Sequence, residues 1–270
     1  MSGMFSTRVI ALMPVAIAIN IVLGYTVQTV LKLPIYLDSI GTILVGVLAG
    51  PIPGALTGIL SNLIWQYAPG IGGGTIGPFA ITAGVIGLLA GLWGYIGVYR
   101  SRPATGNQLA IAALVAAALV FVIAVPIFSN PAYTDPDIGG YPDWVYTAAI
   151  VIAIIAAVVV AGFTYLRRDL AGLWVAAAGV ITGIIAAFVS APIAAIAFGG
   201  VTGSGADLIV AALRQGGADV LQASLGQGLF SDPIDKTITS FVVFIILFSL
   251  SSRFVARFPY GERLTEGRAV

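Results

Sequence analysis

Apolar segments with few charged residues recur along this sequence, and six of them are long enough to cross a lipid bilayer as helices. A bilayer core about 30 Å thick requires roughly 20 apolar residues per helical span. The six segments are residues 8–30, 77–99, 107–128, 144–166, 172–198 and 233–256. Charged residues make up 9% of the chain, against roughly 25% in soluble domains. The sequence therefore predicts an all-α, polytopic transmembrane helix bundle embedded in the lipid bilayer.

Two shorter apolar segments, residues 36–49 and 53–67, flank a Gly-Pro-Ile-Pro turn at 50–53. Each is near the lower length limit for a span, so a crossing helical hairpin and a re-entrant pair are both compatible with the sequence. With this pair the chain has about eight spans. Residues 205–225 mix apolar and charged side chains, which predicts a short amphipathic helix at the membrane interface.

The basic residues predict the orientation of the bundle. If every segment crosses, nine of the twelve Lys and Arg residues lie on one side: Arg8, Arg100, Arg102, Arg167, Arg168, Arg253, Arg257, Arg263 and Arg268. Basic loops stay in the cytoplasm, so we expect both termini there, and most Asp residues at the outer face.

The chain contains no Cys and no His. The commonest general base and the commonest metal ligands are therefore missing, and no Ser has an identifiable base. We expect no enzyme, no catalytic residue, no cofactor and no metal site. The composition gives no reason to expect a nucleic-acid partner.

Two charged clusters lie at the starts of predicted spans, one at Asp38 and one at Asp232-Pro233-Ile234-Asp235-Lys236. Asp before Pro is a typical helix start, so Asp232 is expected to cap the last span, with Asp235 in its first turn. Asp38 is placed in the first turn of its own helix. Helix dipoles favour such carboxylates without any function.

Lys236 needs a different explanation, because a cation near a helix N-terminus opposes the dipole. We expect it to pair with Asp38 or Asp235, or to face a ligand anion. The resulting hypothesis is that Asp38 and Lys236 approach one another near the outer face.

Polar side chains also interrupt the third segment, where Asn62 and Gln66 share a helix face beside Trp65. Asn20 and Gln28 in the first segment are interpreted mainly as packing groups, with a cavity-lining role as the alternative. The candidate substrate-binding residues are Asp38, Asn62, Trp65, Gln66, Asp235 and Lys236.

Glycines recur every third or fourth residue at positions 46–58 and 84–97. Such spacing allows close approach of helices in lipid; packing within the chain is favoured over docking of a separate subunit. The glycine-rich loop 69–78 is either a gate over an outer pocket or a permissive connection. Loop 129–143 is expected to form an external cover, and its Asp spacing lacks the EF-hand calcium pattern.

Four stretches carry a family resemblance: LPIYLDSIGTILVGVLAGPIPGALTGILSNLIW, GPFAITAGVIGLLAG, SAPIAAIAFGGVTGSGADLIVAAL and SDPIDKTITSFVVFIIL. Together they resemble the substrate-binding (S) components of energy-coupling factor (ECF) transporters, prokaryotic importers of vitamins and other micronutrients. The resemblance implies a single membrane domain over 1–270. Residues 8–99 and 172–256 would form a six-helix core, 107–166 an additional helical hairpin, and 257–270 a short cytoplasmic tail.

The resemblance also implies a location, which is a prokaryotic cell (inner) membrane, and a function. Such a subunit captures a vitamin-like small molecule from the outer face, and an ECF transmembrane coupling subunit and ATPase subunits complete the importer. The sequence contains no Walker A motif, so ATP hydrolysis would come from those partners. The Ala-x-x-x-Ala docking motif of the family's first helix is replaced here by Ala11, Ala16 and Ala18.

Two other functions are compatible with the residues. One is an autonomous secondary transporter driven by protons or sodium, although no inverted repeat is evident. The other is a membrane sensor or assembly protein.

Overall fold

A computed structural model describes residues 3–71, 76–129 and 143–266, and this part of the chain is almost entirely helical. The helices of ten residues or more are α1 Thr7–Gly24, α2 Ile40–Ala49, α3 Pro51–Tyr67, α4 Ala80–Tyr95, α5 Asn107–Ser129, α6 Asp143–Arg167, α7 Ala171–Phe198 and α9 Val220–Ser249. The short ones are α8 Asp207–Gln215, α10 Ser252–Val255 and α11 Gly261–Thr265. Within these ranges, β-pairing is limited to a bridge between Pro103 and Asp169.

Three helices of the described ranges are long and apolar enough to cross a membrane: Thr7–Val30, Gly77–Tyr95 and Ala171–Phe198. The first extends α1 by a π-helical turn, and the second includes a 3₁₀ turn before α4. Val22, Ile81 and Phe188 on these helices are large, apolar and exposed, as a lipid-facing surface requires. The fold is that expected of a helical membrane protein.

The two short apolar segments form a tight helix–turn–helix. The chain reverses at Gly50, whose φ of 105° lies in a region that favours glycine. A Cβ on Gly54 would lie 2.7 Å from the Cα of Gly46 and 2.6 Å from the carbonyl oxygen of Gly87. These glycines therefore bring α2, α3 and α4 into backbone contact, which confirms packing within the chain for this part of the glycine pattern.

The last long helix begins earlier than the sequence indicated. Helix α9 starts at Val220, where Asp219 and Gln222 form a reciprocal capping box, and it continues through Pro233. The prediction that Asp232 caps a span was wrong, since Asp232 lies in the helix interior. Helix α7 packs closely against this stretch because Gly179 and Gly183 have no Cβ. A Cβ on either residue would collide with the α9 backbone.

The amphipathic helix predicted within 205–225 is present but shorter. Helix α8 covers Asp207–Gln215 and buries Ile209 and Val210, while residues from 220 onward belong to α9. The central residues of the proposed glycine-rich gate, 72–75, lie outside the described residues, as do 130–142 of the proposed external cover.

Basic residues meet at one end of the bundle. Arg8 donates to the carbonyl of Arg257 at 3.3 Å, and Arg100 pairs with Glu266 at 2.8 Å. The predicted tail is folded against this end: the backbone N–H of Tyr260 donates to the carbonyl of Leu48. Arg268 lies outside the described residues.

Candidate functional site

A cavity opens among the helix ends at the opposite end of the bundle. Its walls come from the end of the Thr7–Val30 helix, the start of α2, the ends of α3 and α7, the start of α4, the 202–204 loop and the first half of α9. The space between the walls is about 820 Å³, including the part open to solvent.

Lys236 is the centre of an ion cluster at the inner wall. Its Nζ lies 2.5 Å from an Asp235 carboxylate oxygen, 3.4 Å from Oδ1 of Asp38 and 3.0 Å from Oγ of Ser39. The Lys236 residue is 2% exposed and Asp235 is 0% exposed. The expectation that Lys236 pairs with Asp38 or Asp235 is confirmed, and both pairs form. The dipole argument behind it was wrong, because Lys236 lies in the middle of α9.

Asp235 also fixes the segment before α2. Its Oδ1 accepts the backbone N–H groups of Tyr36 and Leu37 at 2.9 and 2.7 Å. Leu37 has φ 52°, an uncommon conformation for a non-glycine residue that surrounding contacts must hold. A carboxylate in α9 thus positions the chain that carries Asp38 into the cavity wall.

Asp38 lies just before α2 rather than in its first turn, since the helix begins at Ile40. Its Oδ2 accepts from Nε2 of Gln28 at 3.2 Å. Gln28 belongs to the π-helical turn Tyr25–Val30, and such turns are frequent at functional sites. The cavity-lining alternative for Gln28 is therefore supported.

The phenol of Tyr36 lies on the same wall. Gln227 donates to its oxygen from Nε2 at 2.8 Å. Removal of the phenol from solvent and the nearby Asp232 carboxylate raise the pKa of Tyr36 well above its ordinary value. The hydroxyl therefore stays protonated at neutral pH and is available as a hydrogen-bond donor.

Asp232 faces the cavity and is weakly partnered. Within the described ranges its carboxylate accepts one hydrogen bond, from Oγ of Ser190 at 3.4 Å. The residue is 5% exposed. A buried carboxylate is normally paired with a cation or several donors, whereas Asp232 makes neither a direct ion pair nor a second hydrogen bond among the described residues.

Neutral polar groups complete the polar lining. Asn62 is 5% exposed, and its side-chain amide makes no hydrogen bond to another described residue. Among the described residues, Oγ of Ser224 and Oγ1 of Thr82 are buried without a hydrogen-bond partner. All three residues line the cavity. Since buried polar groups are usually satisfied, these groups leave hydrogen-bonding capacity at the cavity wall.

A second, outer cavity adjoins the first, and Gln28, Ile76, Thr202 and Ser204 line both. Trp65 lines the outer cavity, and its indole N–H donates to the carbonyl of Ile71 at 3.1 Å.

The six residues predicted for the site are thus distributed over several places. Asp38, Asn62 and Lys236 line the inner cavity, Trp65 lines the outer one, and Asp235 lies behind Lys236. Gln66 lines neither cavity; the Oε1 atom of its side chain accepts the backbone N–H of Gly77 and supports the start of the α4 segment.

The sequence interpretation missed the polar face of α9. Ser224, Gln227, Ser231 and Asp235 follow at intervals of three or four residues, which is helical spacing. The spacing is visible in the sequence. The expected helix start at Asp232, however, placed Ser224, Gln227 and Ser231 outside the helix that contains Asp235.

Asn20 has a structural role, as expected. Its Nδ2 donates to Thr42 and Ser61 at 2.9 Å each, and its Oδ1 accepts the N–H of Gly41 at 2.7 Å. The amide joins α1, α2 and α3 beneath the cavity.

Comparisons with protein families, with curated proteins and with solved structures find no match to this chain.

Proposed function

We propose that this chain is the membrane-embedded substrate-binding subunit of an ECF-type importer, capturing a vitamin or other micronutrient from the outer face. The observation that carries the proposal is the cavity beside Lys236, whose lining includes the buried, unpartnered polar groups of Asn62 and Ser224. A fold does not need such groups for its own stability, and they are suited to hold a small polar molecule.

The proposed topology has eight spans, formed by α1 to α7 and α9, with both termini cytoplasmic in a prokaryotic cell membrane. Support comes from the two bundle ends: Arg8, Arg100 and Arg257 lie at one end, while the cavity lies at the other. Residues 8–99 and 172–256 would form the S-component-like core, and 107–166 the additional hairpin.

Binding would proceed from the outer face through the outer cavity. The substrate would pass Trp65 and enter between Gln28 and Ser204, which border both cavities. Release into the cell would require the ECF transmembrane coupling subunit and ATP hydrolysis by the ATPase subunits.

Reconstitution into liposomes tests the proposal. The purified chain alone should bind its vitamin-like substrate without accumulating it, and ATP-dependent uptake should require the coupling and ATPase subunits. Uptake by the chain alone, with or without an ion gradient, would overturn the proposal.

A second candidate function is an autonomous proton- or sodium-coupled transporter. It is favoured by Asp232, Asp235 and Lys236, ionisable groups buried in one apolar helix bundle, because such groups often form ion-coupling sites. A pH gradient that drives uptake in liposomes containing this chain alone would support it.

A further inference from the structure

The inner cavity has an imbalance of charge. Asp38 and Asp232 line it and Asp235 lies directly behind, whereas Lys236 is the sole cation among its described lining residues. Three carboxylates therefore share one ammonium, and acidic groups formally exceed basic ones by two.

The imbalance is concentrated on Asp232. Asp235 takes the closest contact with Lys236 and two backbone N–H groups, and Asp38 takes the second contact with Lys236 and the amide of Gln28. Asp232 is left with the 3.4 Å contact from Ser190. A charge removed from water in this way is unfavourable unless an opposite charge compensates it.

Independent observations point to a ligand in the same cavity. The residues Asn62 and Ser224 are 5% and 1% exposed, both line the cavity, and their polar side-chain atoms have no hydrogen-bond partner in the described residues. Ile76, Phe79 and Ile86 supply an apolar part of the wall.

We infer that the cavity binds a small organic cation, whose protonated or quaternary nitrogen faces Asp232 and Asp38 and whose apolar part packs on Phe79 and Ile86. This inference rests on the proposed function and names the substrate class of that site. The nitrogen would balance the carboxylate that makes no direct ion pair with Lys236, and Asn62 and Ser224 would hydrogen-bond the remaining polar atoms.

An organic cation fits this site better than a metal ion. The described residues contain no cluster of three or more Asp, Glu, His or Cys side chains arranged to hold a metal. The apolar wall at Ile76, Phe79 and Ile86 offers no ligand to a metal but matches a carbon skeleton.

The test compares three probes of similar shape and different charge, namely benzylamine, benzyl alcohol and benzoate. Binding to the full-length chain in detergent micelles is measured by calorimetry at pH 7, where benzylamine is a cation. Asp232→Asn removes the charge at constant size, and Asp219→Asn is the matched control on the same helix, outside the cavity, where Asn also caps well. Sodium and magnesium ions are added as competitors.

We expect benzylamine to bind at least about tenfold more tightly than benzyl alcohol or benzoate, and Asp232→Asn to remove this preference. Asp219→Asn should retain it. The Asp232→Asn protein should be at least as thermostable as the wild type without ligand, which excludes misfolding as the cause.

Four results would overturn the inference. The first three are equal or tighter binding of a neutral or anionic probe, an unchanged preference in Asp232→Asn, and no binding of benzylamine. Displacement of benzylamine by sodium or magnesium in an Asp232-dependent manner would overturn it in favour of a metal ion. None of these results decides the proposed import function, which the liposome experiment tests separately.

Discussion

Nζ of Lys236 lies 3.4 Å from Oδ1 of Asp38, although the two residues are 198 positions apart in the sequence. This contact joins the middle of α9 to the segment before α2. Asp235 reinforces the junction by holding the backbone of Tyr36 and Leu37. The cluster therefore closes the inner wall of the cavity and ties the two halves of the chain together.

Replacing Lys236 tests the structural part of this cluster. Lys236→Met should lower the free energy of unfolding by ~3–5 kcal/mol, because it leaves buried carboxylates without their cation. The chain's other lysine, Lys32, is exposed, so Lys32→Met should change stability by less than about 0.5 kcal/mol. Thermal unfolding in detergent measures both; equal effects of the two changes would contradict the assignment.

Alanine substitutions of Asn20 and Asn62 distinguish an asparagine that stabilises the fold from one that is available to bind a ligand. Asn20→Ala removes three hydrogen bonds between helices and should destabilise the protein by about 2–3 kcal/mol. Asn62→Ala removes an amide that makes no hydrogen bond within the described residues, and it should change stability by less than ~1 kcal/mol. The expected pattern is a lowered melting temperature for Asn20→Ala alone. The reverse pattern would show that Asn62 is a packing residue.

The surroundings of two glycines predict opposite effects of Gly→Ala substitution on stability. Gly87→Ala places a methyl group against the backbone of Gly54 and Ala55 and should cost about 1–3 kcal/mol. Gly162→Ala lies in α6 with nothing within 4 Å of the new Cβ, so it should be neutral or stabilise the helix by up to ~1 kcal/mol. Melting temperatures of both variants test this packing, and a stable Gly87→Ala protein would contradict it.

The basic end contains a buried carboxylate whose removal should be costly. Asp169 accepts from Oγ of Ser101 at 2.6 Å and from the N–H groups of Arg102 and Ala171 at 2.8 Å each. Asp169→Ala should therefore lower stability by ~2–3 kcal/mol.

The matched control for Asp169 is Glu266→Ala. It breaks the exposed pair with Arg100, where the side chains are 50% and 59% exposed, and it should cost less than ~1 kcal/mol. Chemical or thermal unfolding of the two variants distinguishes them. A larger loss for Glu266→Ala would show that the tail contact, not Asp169, stabilises this end.

Much of the fold could be predicted because membrane helices are defined by local composition. The apolar runs correctly predicted helices such as α5 Asn107–Ser129 and α7 Ala171–Phe198. The start of α9 could not be predicted by the same rule, because polar residues such as Gln222, Ser224 and Gln227 interrupt its first half. The Asp232-Pro233 pair wrongly predicted a helix start, whereas the helix begins after the capping box formed by Asp219 and Gln222.

The site was predicted in part for a similar reason. Lys236 and Asp38 were identifiable because charges in apolar segments need partners. Thr82 and Ser190 carried no such signal, since isolated hydroxyls are common in membrane helices, and only the meeting of α4, α7 and α9 brings them to one cavity.

Native mass spectrometry of the purified full-length chain tests the central claim, which is that the cavity captures one small molecule. The account predicts a single retained or added small molecule per wild-type chain. It also predicts loss of that molecule in an Asn62→Ala/Ser224→Val double variant with an unchanged melting temperature. A wild-type chain that retains none, and gains none when vitamins and related micronutrients are added, would contradict the account, as would a double variant that binds the molecule equally well.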